Sequence, residues 1–266
     1  MTALPEGAAR VLGDPGLTGA VVIITGAGSG IGAATALRAG AAGARVVLVG
    51  RRAELLDEVA GQVRSAGGEA LALPADLADA GTAAHIVRSS LDRYGRIDGL
   101  VNNAAVCRHK PLGEWDVAGF DEHVATNVRA PFFLIQEALP ALRESPVRSV
   151  VNISSSSGTL HRTGQSVYAM TKSALDYLTH TLAGELAPLG VRVNGIAPGP
   201  VDTPIHATWA DDLEEAYRWL GSQVPLGRIG VPDEVAQWIV LLLSPMASFL
   251  TGAVIPLDGG QVIDRE

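Results

Sequence analysis

Thr25-Gly26-Ala27-Gly28-Ser29-Gly30-Ile31-Gly32 decides the fold. The apolar run Val21–Thr25 leads into it, and a helical pattern, Ile31–Ala42, follows. A strand that ends in a glycine turn and opens a helix aims backbone amides at one point, where a pyrophosphate can sit. Side chains there would block that close approach. The turn lacks the Gly-Lys-Ser/Thr ending of an NTPase phosphate loop, so a dinucleotide is the expected ligand. Gly26, Gly28, Ser29, Gly30, Ile31 and Gly32 are its candidate cradle. Glycines also serve tight turns for conformational reasons alone; the placement between strand and helix favours the nucleotide.

Outward from the turn, short apolar runs alternate with helical stretches. Val21–Thr25, Arg45–Val49, Ala70–Leu73, Gly99–Asn102, Ser149–Ile153, Val191–Ile196 and Val254–Leu257 read as strands. Their continuous apolar character suits a parallel sheet covered on both faces. Ile31–Ala42, Glu54–Ser65, Thr82–Tyr94, Phe120–Leu142, Ser166–Leu186, Asp211–Leu220 and Pro232–Leu243 read as helices, with Asp79 as the expected N-cap of the third. This rhythm predicts an α/β, Rossmann-type doubly wound parallel sheet of about seven strands with helices on both faces. Residues 1–16 read as a flexible extension. Residues 17–266 read as one nucleotide-binding domain, with a small substrate lid around 199–227 that interrupts the rhythm.

The chain has 266 residues, 47 % of them hydrophobic and 18 % charged, so wholesale disorder is not expected. A net charge of −8 argues against general nucleic-acid binding. The single cysteine, Cys107, allows no internal disulfide and reads as a small buried hydrophobe. No signal-peptide pattern opens the chain, and the apolar stretch Trp238–Leu257 is broken by Pro245, Gly252 and Pro256. A cytoplasmic protein without a membrane span is therefore expected. The histidines show no zinc-motif spacing, so no metal site is expected.

Tyr168 and Lys172 stand four apart in a helical stretch and share a face. An ammonium beside a phenol favours phenolate, lowers the phenol's pKa and makes it a usable acid or base. The run Ser154–Ser157 follows a strand and, taken alone, is an ordinary polar loop. It lacks a Gly-x-Ser-x-Gly elbow, which argues against a hydrolase nucleophile.

With these motifs the chain resembles the short-chain dehydrogenase/reductase family. The resemblance rests on Thr25, Gly26, Gly30 and Gly32; Asp76-Leu77; Asn102-Asn103-Ala104-Ala105; Asn127; Ser155; Tyr168-x-x-x-Lys172; and Pro198-Gly199. It spans roughly residues 17 to 262, and Ala105 departs from the family's usual glycine. It implies NAD(P)(H)-dependent interconversion of a carbonyl and a secondary alcohol. It selects Ser155 from the serine run to hold the substrate oxygen. It makes Tyr168 the general acid or base and gives Lys172 both the ribose hydroxyls and the tuning of Tyr168. Asn127 would support a proton relay through water. Asp76 and Leu77 would border the adenine. Asn103, Ala104 and Ala105 would line the cofactor, and Pro198, Gly199, Val201 and Thr203 would lie near the nicotinamide. It further implies a homotetramer or homodimer built on the two long helices and the last strand.

Coenzyme choice turns on Gly50-Arg51-Arg52, at the end of the second strand. An acidic residue there would bind a free ribose 2′-hydroxyl and repel a 2′-phosphate. Two guanidiniums suit the phosphate instead, so NADP(H) is the expected coenzyme, with Arg51 the main contact and Arg52 secondary, and NAD(H) possible. Trp209, Tyr217 and Trp219 in the lid suit an apolar or ring-bearing small-molecule substrate, or else pack the lid or a subunit interface. Two other readings are a cofactor-binding regulatory protein without chemistry and a sugar-nucleotide epimerase. The intact Ser155, Tyr168 and Lys172 set argues against the first, and the lack of a longer C-terminal region against the second.

Overall fold

Alternation along the strands sorts the core into two layers. The computed structural model describes residues 15–210 and 212–263. Its strands are β1 (Val21–Thr25), β2 (Arg45–Gly50), β3 (Glu69–Pro74), β4 (Gly99–Asn102), β5 (Ser149–Ile153), β6 (Arg192–Pro198) and β7 (Val254–Leu257). They form one parallel sheet in the order β3-β2-β1-β4-β5-β6-β7, a doubly wound Rossmann-type arrangement. The helices are α1 (Gly30–Ala41), α2 (Ala53–Ser65), α3 (Thr82–Tyr94), α4 (Val117–Val124), α5 (Ala130–Arg143), α6 (Ser166–Leu186), α7 (Leu213–Ser222) and α8 (Pro232–Leu243).

Val22, Ile24, Val46, Leu48, Val101 and Val151 face α1, α2 and α8 in one buried cluster. Their neighbours Val21, Ile23, Val47, Val49, Leu100 and Val150 face α3, α5 and α6 in the other. Period-two alternation of wholly apolar strands thus feeds both helix layers. The fully buried Asp98 ties the lower edge together, accepting from Val21 N at 2.8 Å, Arg96 Nε at 2.7 Å and Ser145 Oγ at 2.5 Å. Arg38 of α1 pairs with Asp233 of α8 and staples those two helices.

Two local expectations are corrected. Asp79 does not cap α3: the N-cap is Gly81, at φ 86, and Asp79 offers only its backbone carbonyl to Thr82 N. The long helix expected over Phe120–Leu142 is interrupted by a π-helical turn, Ala125–Arg129, between α4 and α5. Residues 1–14 of the expected N-terminal extension, and Asp211 at the expected start of α7, lie outside the described residues. Among the described residues no helix is long and apolar enough to cross a membrane.

Candidate active site

β1 and β4 are neighbours while the chain between them runs to the far edge through β2 and β3, so the connections diverge above this pair. Ligands of open α/β sheets bind in that crevice. A cavity of about 1150 Å³ opens there, lined by segments that follow the C-terminal ends of β1 to β6. Of the residues singled out in the sequence, Gly26, Gly28, Ser29, Gly30, Ile31, Arg51, Arg52, Asp76, Leu77, Asn103, Ala104, Ala105, Ser155, Tyr168, Lys172, Pro198, Gly199, Val201 and Thr203 all line it. Gly32 and Asn127 do not: each stands behind its wall.

The glycine turn is shaped by what surrounds it. A Cβ on Gly26 would lie 2.8 Å from Asn103 Nδ2 and 2.9 Å from Ala104 Cα, and one on Gly32 would lie 2.2 Å from Gly26 O. Gly32 therefore serves by letting α1 pack under the turn. Ser29 is the N-cap of α1, yet its hydroxyl makes no cap bond to the helix. The first-turn amides of α1, which have no partner within the helix, stay directed at the cavity. Such a cradle fits a dinucleotide pyrophosphate.

At the adenosine end, Arg52 Nη2 donates to Ser29 Oγ at 3.3 Å, while Arg51 lies 3.9 Å from Glu122 Oε1. Glu122 also pairs with Arg108. Arg52 thus sits against the glycine turn, and Arg51 stands toward a carboxylate on α4.

At the opposite end, α6 presents Tyr168 and Lys172, both nearly closed to solvent at 8 % and 2 % exposure. The Lys172 ammonium donates to Ile153 O at 2.7 Å and stands 5.7 Å from the Tyr168 ring centre. Burial lowers Lys172 to about 8. Burial pushes the Tyr168 phenol well above its ordinary value, the Cys107 thiol adds to that, and a hydrogen bond with Ser155 opposes it. Removal from water thus outweighs the hydrogen bond that opposes it. Cys107 is buried as expected, and burial raises its thiol to about 12, so it stays neutral and unreactive.

Asn127 sits in the π turn, a distortion common at functional sites. Its side chain accepts from Val106 N at 2.8 Å and donates to Val106 O at 2.9 Å and Thr171 Oγ1 at 3.0 Å. Both amide hydrogens are spent on fixing the loop after β4 against α6.

Besides Trp209, the substrate end contains groups the sequence did not single out. Ser157 Oγ donates to Gln165 Oε1 at 2.8 Å, and Gln165 Nε2 meets His109 Nε2 at 2.9 Å. His109 stacks on Trp209 with ring centres 4.8 Å apart and planes within 7°. Burial, aided by the charges of His206 and Arg162, lowers His109 to about 4, so the ring is neutral at pH 7. Trp209 belongs to an insertion whose ends are tied by Asp202 N to Gly230 O and Gly230 N to Pro200 O, both 2.9 Å. Nothing in local pattern signals this group, because it forms only when the loops after β4, β5 and β6 converge.

A parallel sheet with this cradle at its switch point, facing a half-buried Ser155 and the buried pair Tyr168 and Lys172, defines a nicotinamide-dependent oxidoreductase. A family model described as enoyl-(acyl carrier protein) reductase matches residues 26–261. The chain belongs to the short-chain dehydrogenase/reductase family. It is 35 % identical to a 2,5-dichloro-2,5-cyclohexadiene-1,4-diol dehydrogenase of Sphingobium indicum, over 92 % of this chain and 96 % of that protein. It is 36 % identical to a 3-oxoacyl-[acyl-carrier-protein] reductase of Thermotoga maritima, over 93 % of this chain and 99 % of that protein. The crystal structure of a 3-ketoacyl-(acyl-carrier-protein) reductase from Brucella melitensis, complexed with NADH, matches with a TM-score of 0.85 and 32 % identity, over 92 % of this chain and 99 % of that one.

Proposed function

We propose that this protein reduces a ketone to a secondary alcohol with NADPH, and catalyses the reverse oxidation, on a small substrate that carries a ring. The observation that carries the reading is one cavity with the glycine cradle and two guanidiniums at one end and Ser155, Tyr168 and Lys172 at the other.

Gly26, Gly28, Ser29, Gly30 and Ile31 would hold the pyrophosphate, with Gly32 allowing α1 to pack beneath them. Asp76 and Leu77 would border the adenine, and Asn103, Ala104 and Ala105 the far wall. Pro198, Gly199, Val201 and Thr203 would bracket the nicotinamide. Arg52, with Ser29, would be the leading contact for a 2′-phosphate and Arg51 the second. A bound nicotinamide supplies or accepts the hydride. Ser155 holds the substrate oxygen beside Tyr168. The raised phenol keeps its proton at neutral pH, so Tyr168 is loaded as the acid that protonates the forming alkoxide. Lys172, anchored on Ile153 O, would bind ribose and bring positive charge beside the phenol. Asn127 would support proton supply by positioning the loop and helix around Lys172. The His109–Trp209 stack offers a flat wall for a ring. The diol dehydrogenase relative also acts on a ring compound, by its name.

The insertion around 199–227 would act as the lid, its base tied at the bridge between Val201 and Gly230. Phe132, Phe133 and Tyr177, on α5 and α6, are exposed large side chains around a shallow apolar groove. They support assembly into a dimer or tetramer through these helices. The test of the reading is NADPH oxidation with cyclic and linear ketones. Reduction of cyclic ketones, faster with NADPH than with NADH, supports it; hydride transfer to none of them refutes it.

A further inference from the structure

The half-buried arginines of the described residues are Arg38, Arg45, Arg148, Arg162 and Arg192. Arg38 pairs with Asp233 and Arg45 with Glu69, while Arg148 and Arg192 donate to backbone carbonyls. Arg162 alone has neither an ion pair nor a hydrogen bond to its guanidinium. It lines the cavity between Ser155 and Tyr168 in the chain, in the same wall as His109 and Gln165. Its charge reaches His109, which it helps to keep unprotonated.

The cavity supplies no carboxylate to answer it. Asp76 and Glu122 are the acidic side chains in its lining. Asp76 accepts from Ala78 N at 2.9 Å, and Glu122 is held between Arg108 and Arg51. A cation partly withdrawn from water, without a counter-charge, is costly unless something else brings the charge. His109 accepts from Gln165 and stays neutral, so in the wall formed by His109, Arg162 and Gln165 the charged group is the guanidinium, apart from Lys172 beside the phenol.

We propose that Arg162 is a specificity residue that receives a carboxylate on the substrate, placed away from the carbonyl carbon that is reduced. A planar guanidinium matches a carboxylate with two parallel hydrogen bonds. The neighbouring His109–Trp209 surface would carry the scaffold between that carboxylate and the reacting carbon. The substrate class is then an oxo acid with a ring between its two functional groups. This rests on the reductase reading above.

The test uses 4-oxocyclohexanecarboxylate and 4-oxocyclohexanecarboxamide, which differ in charge and little in shape. The wild type is expected to favour the carboxylate in kcat/KM by about ten- to a hundredfold, mostly through KM. Arg162→Gln should bring the ratio near one, Arg162→Lys should restore part of it, and Arg162→Glu should invert it. A second readout needs no turnover: titration of the NADP⁺-loaded enzyme with cyclohexanecarboxylate and with cyclohexanecarboxamide. Tighter binding of the carboxylate, lost in Arg162→Gln, supports the assignment. Equal binding in the wild type, or a ratio unchanged in Arg162→Gln, overturns it. If neither ketone is reduced but the titration shows the carboxylate preference, the reductase reading fails and the anion site stands.

Discussion

Replacing Arg52 with serine would isolate the contribution of one guanidinium to coenzyme choice. Arg52 is the N-cap of α2, and serine is a good residue there, so the fold should not suffer. Its Nη2 lies 3.3 Å from Ser29 Oγ, where a 2′-phosphate would meet guanidinium and hydroxyl together. A hydrogen bond to a charged group contributes about 1.5–3 kcal/mol. Arg52 is exposed, and solvent screening holds the value to about 1–2 kcal/mol, or roughly five- to thirtyfold in affinity. The assay is initial rate against NADPH and NADH at a fixed, saturating ketone. NADPH efficiency should fall by that factor while NADH efficiency changes less than about twofold. Raising the ionic strength should shrink the NADPH advantage more in the wild type than in the variant, because the screened charge is the one removed. Arg51→Ser should lose less, since Glu122 already engages that side chain. Wild-type preference for NADH, or equal loss with both coenzymes in Arg52→Ser, would refute the reasoning.

Lys172→Met should raise the thermal midpoint of the cofactor-free protein by a few degrees while abolishing turnover. Burial lowers the ammonium from 10.5 to about 8, a penalty of order 3 kcal/mol at neutral pH, partly offset by the bond to Ile153 O. The unfolded chain holds that proton longer, so the wild type should regain stability as pH rises between about 8 and 10.5, and the gap to the variant should close there. A midpoint that drops in calorimetry would contradict this. Asp98→Ala should cost about 2–4 kcal/mol, because Val21 N and Ser145 Oγ lose their acceptor. Although burial opposes it, bonds from Arg96, Ser145 and Val21 hold the Asp98 carboxyl below its ordinary value. Its contribution is therefore complete above the unfolded pKa of about 3.9 and fades as pH falls through the lower folded value, so the denaturation difference should shrink only in strong acid. Phe133→Glu should reduce the mass seen by light scattering, and an unchanged mass would move the interface off α5.

The inner strands were legible because they are buried on both faces, which makes an apolar run with polar or glycine ends; the edge strands β3 and β7 are only partly buried. Seven of the fourteen expected elements, among them Val21–Thr25 and Thr82–Tyr94, carry the bounds the sequence suggested. Chain-local chemistry was legible too, since the Tyr168–Lys172 spacing needs only a helix. What depends on distant segments was not. The π turn at Asn127 leaves no signature in hydrophobic period. The approach of Arg51 to Glu122 depends on another helix, α4. The sign of the Tyr168 shift follows from how deeply α6 is packed, which a sequence pattern does not report. The contacts of His109 with Gln165 and Trp209 form only when three loops converge.

Tyr168→Phe is the most direct test of the account. Phenylalanine keeps the buried ring and removes only the proton that the phenol delivers. In a single turnover of NADPH against the best cyclic ketone, the rate should fall by about a hundred- to ten-thousandfold. NADPH binding, followed by fluorescence titration, should stay within about threefold of the wild type, a change below roughly 1 kcal/mol. A variant that kept most of its hydride-transfer rate would show that Tyr168 is not the acid, and the proposed chemistry would be wrong.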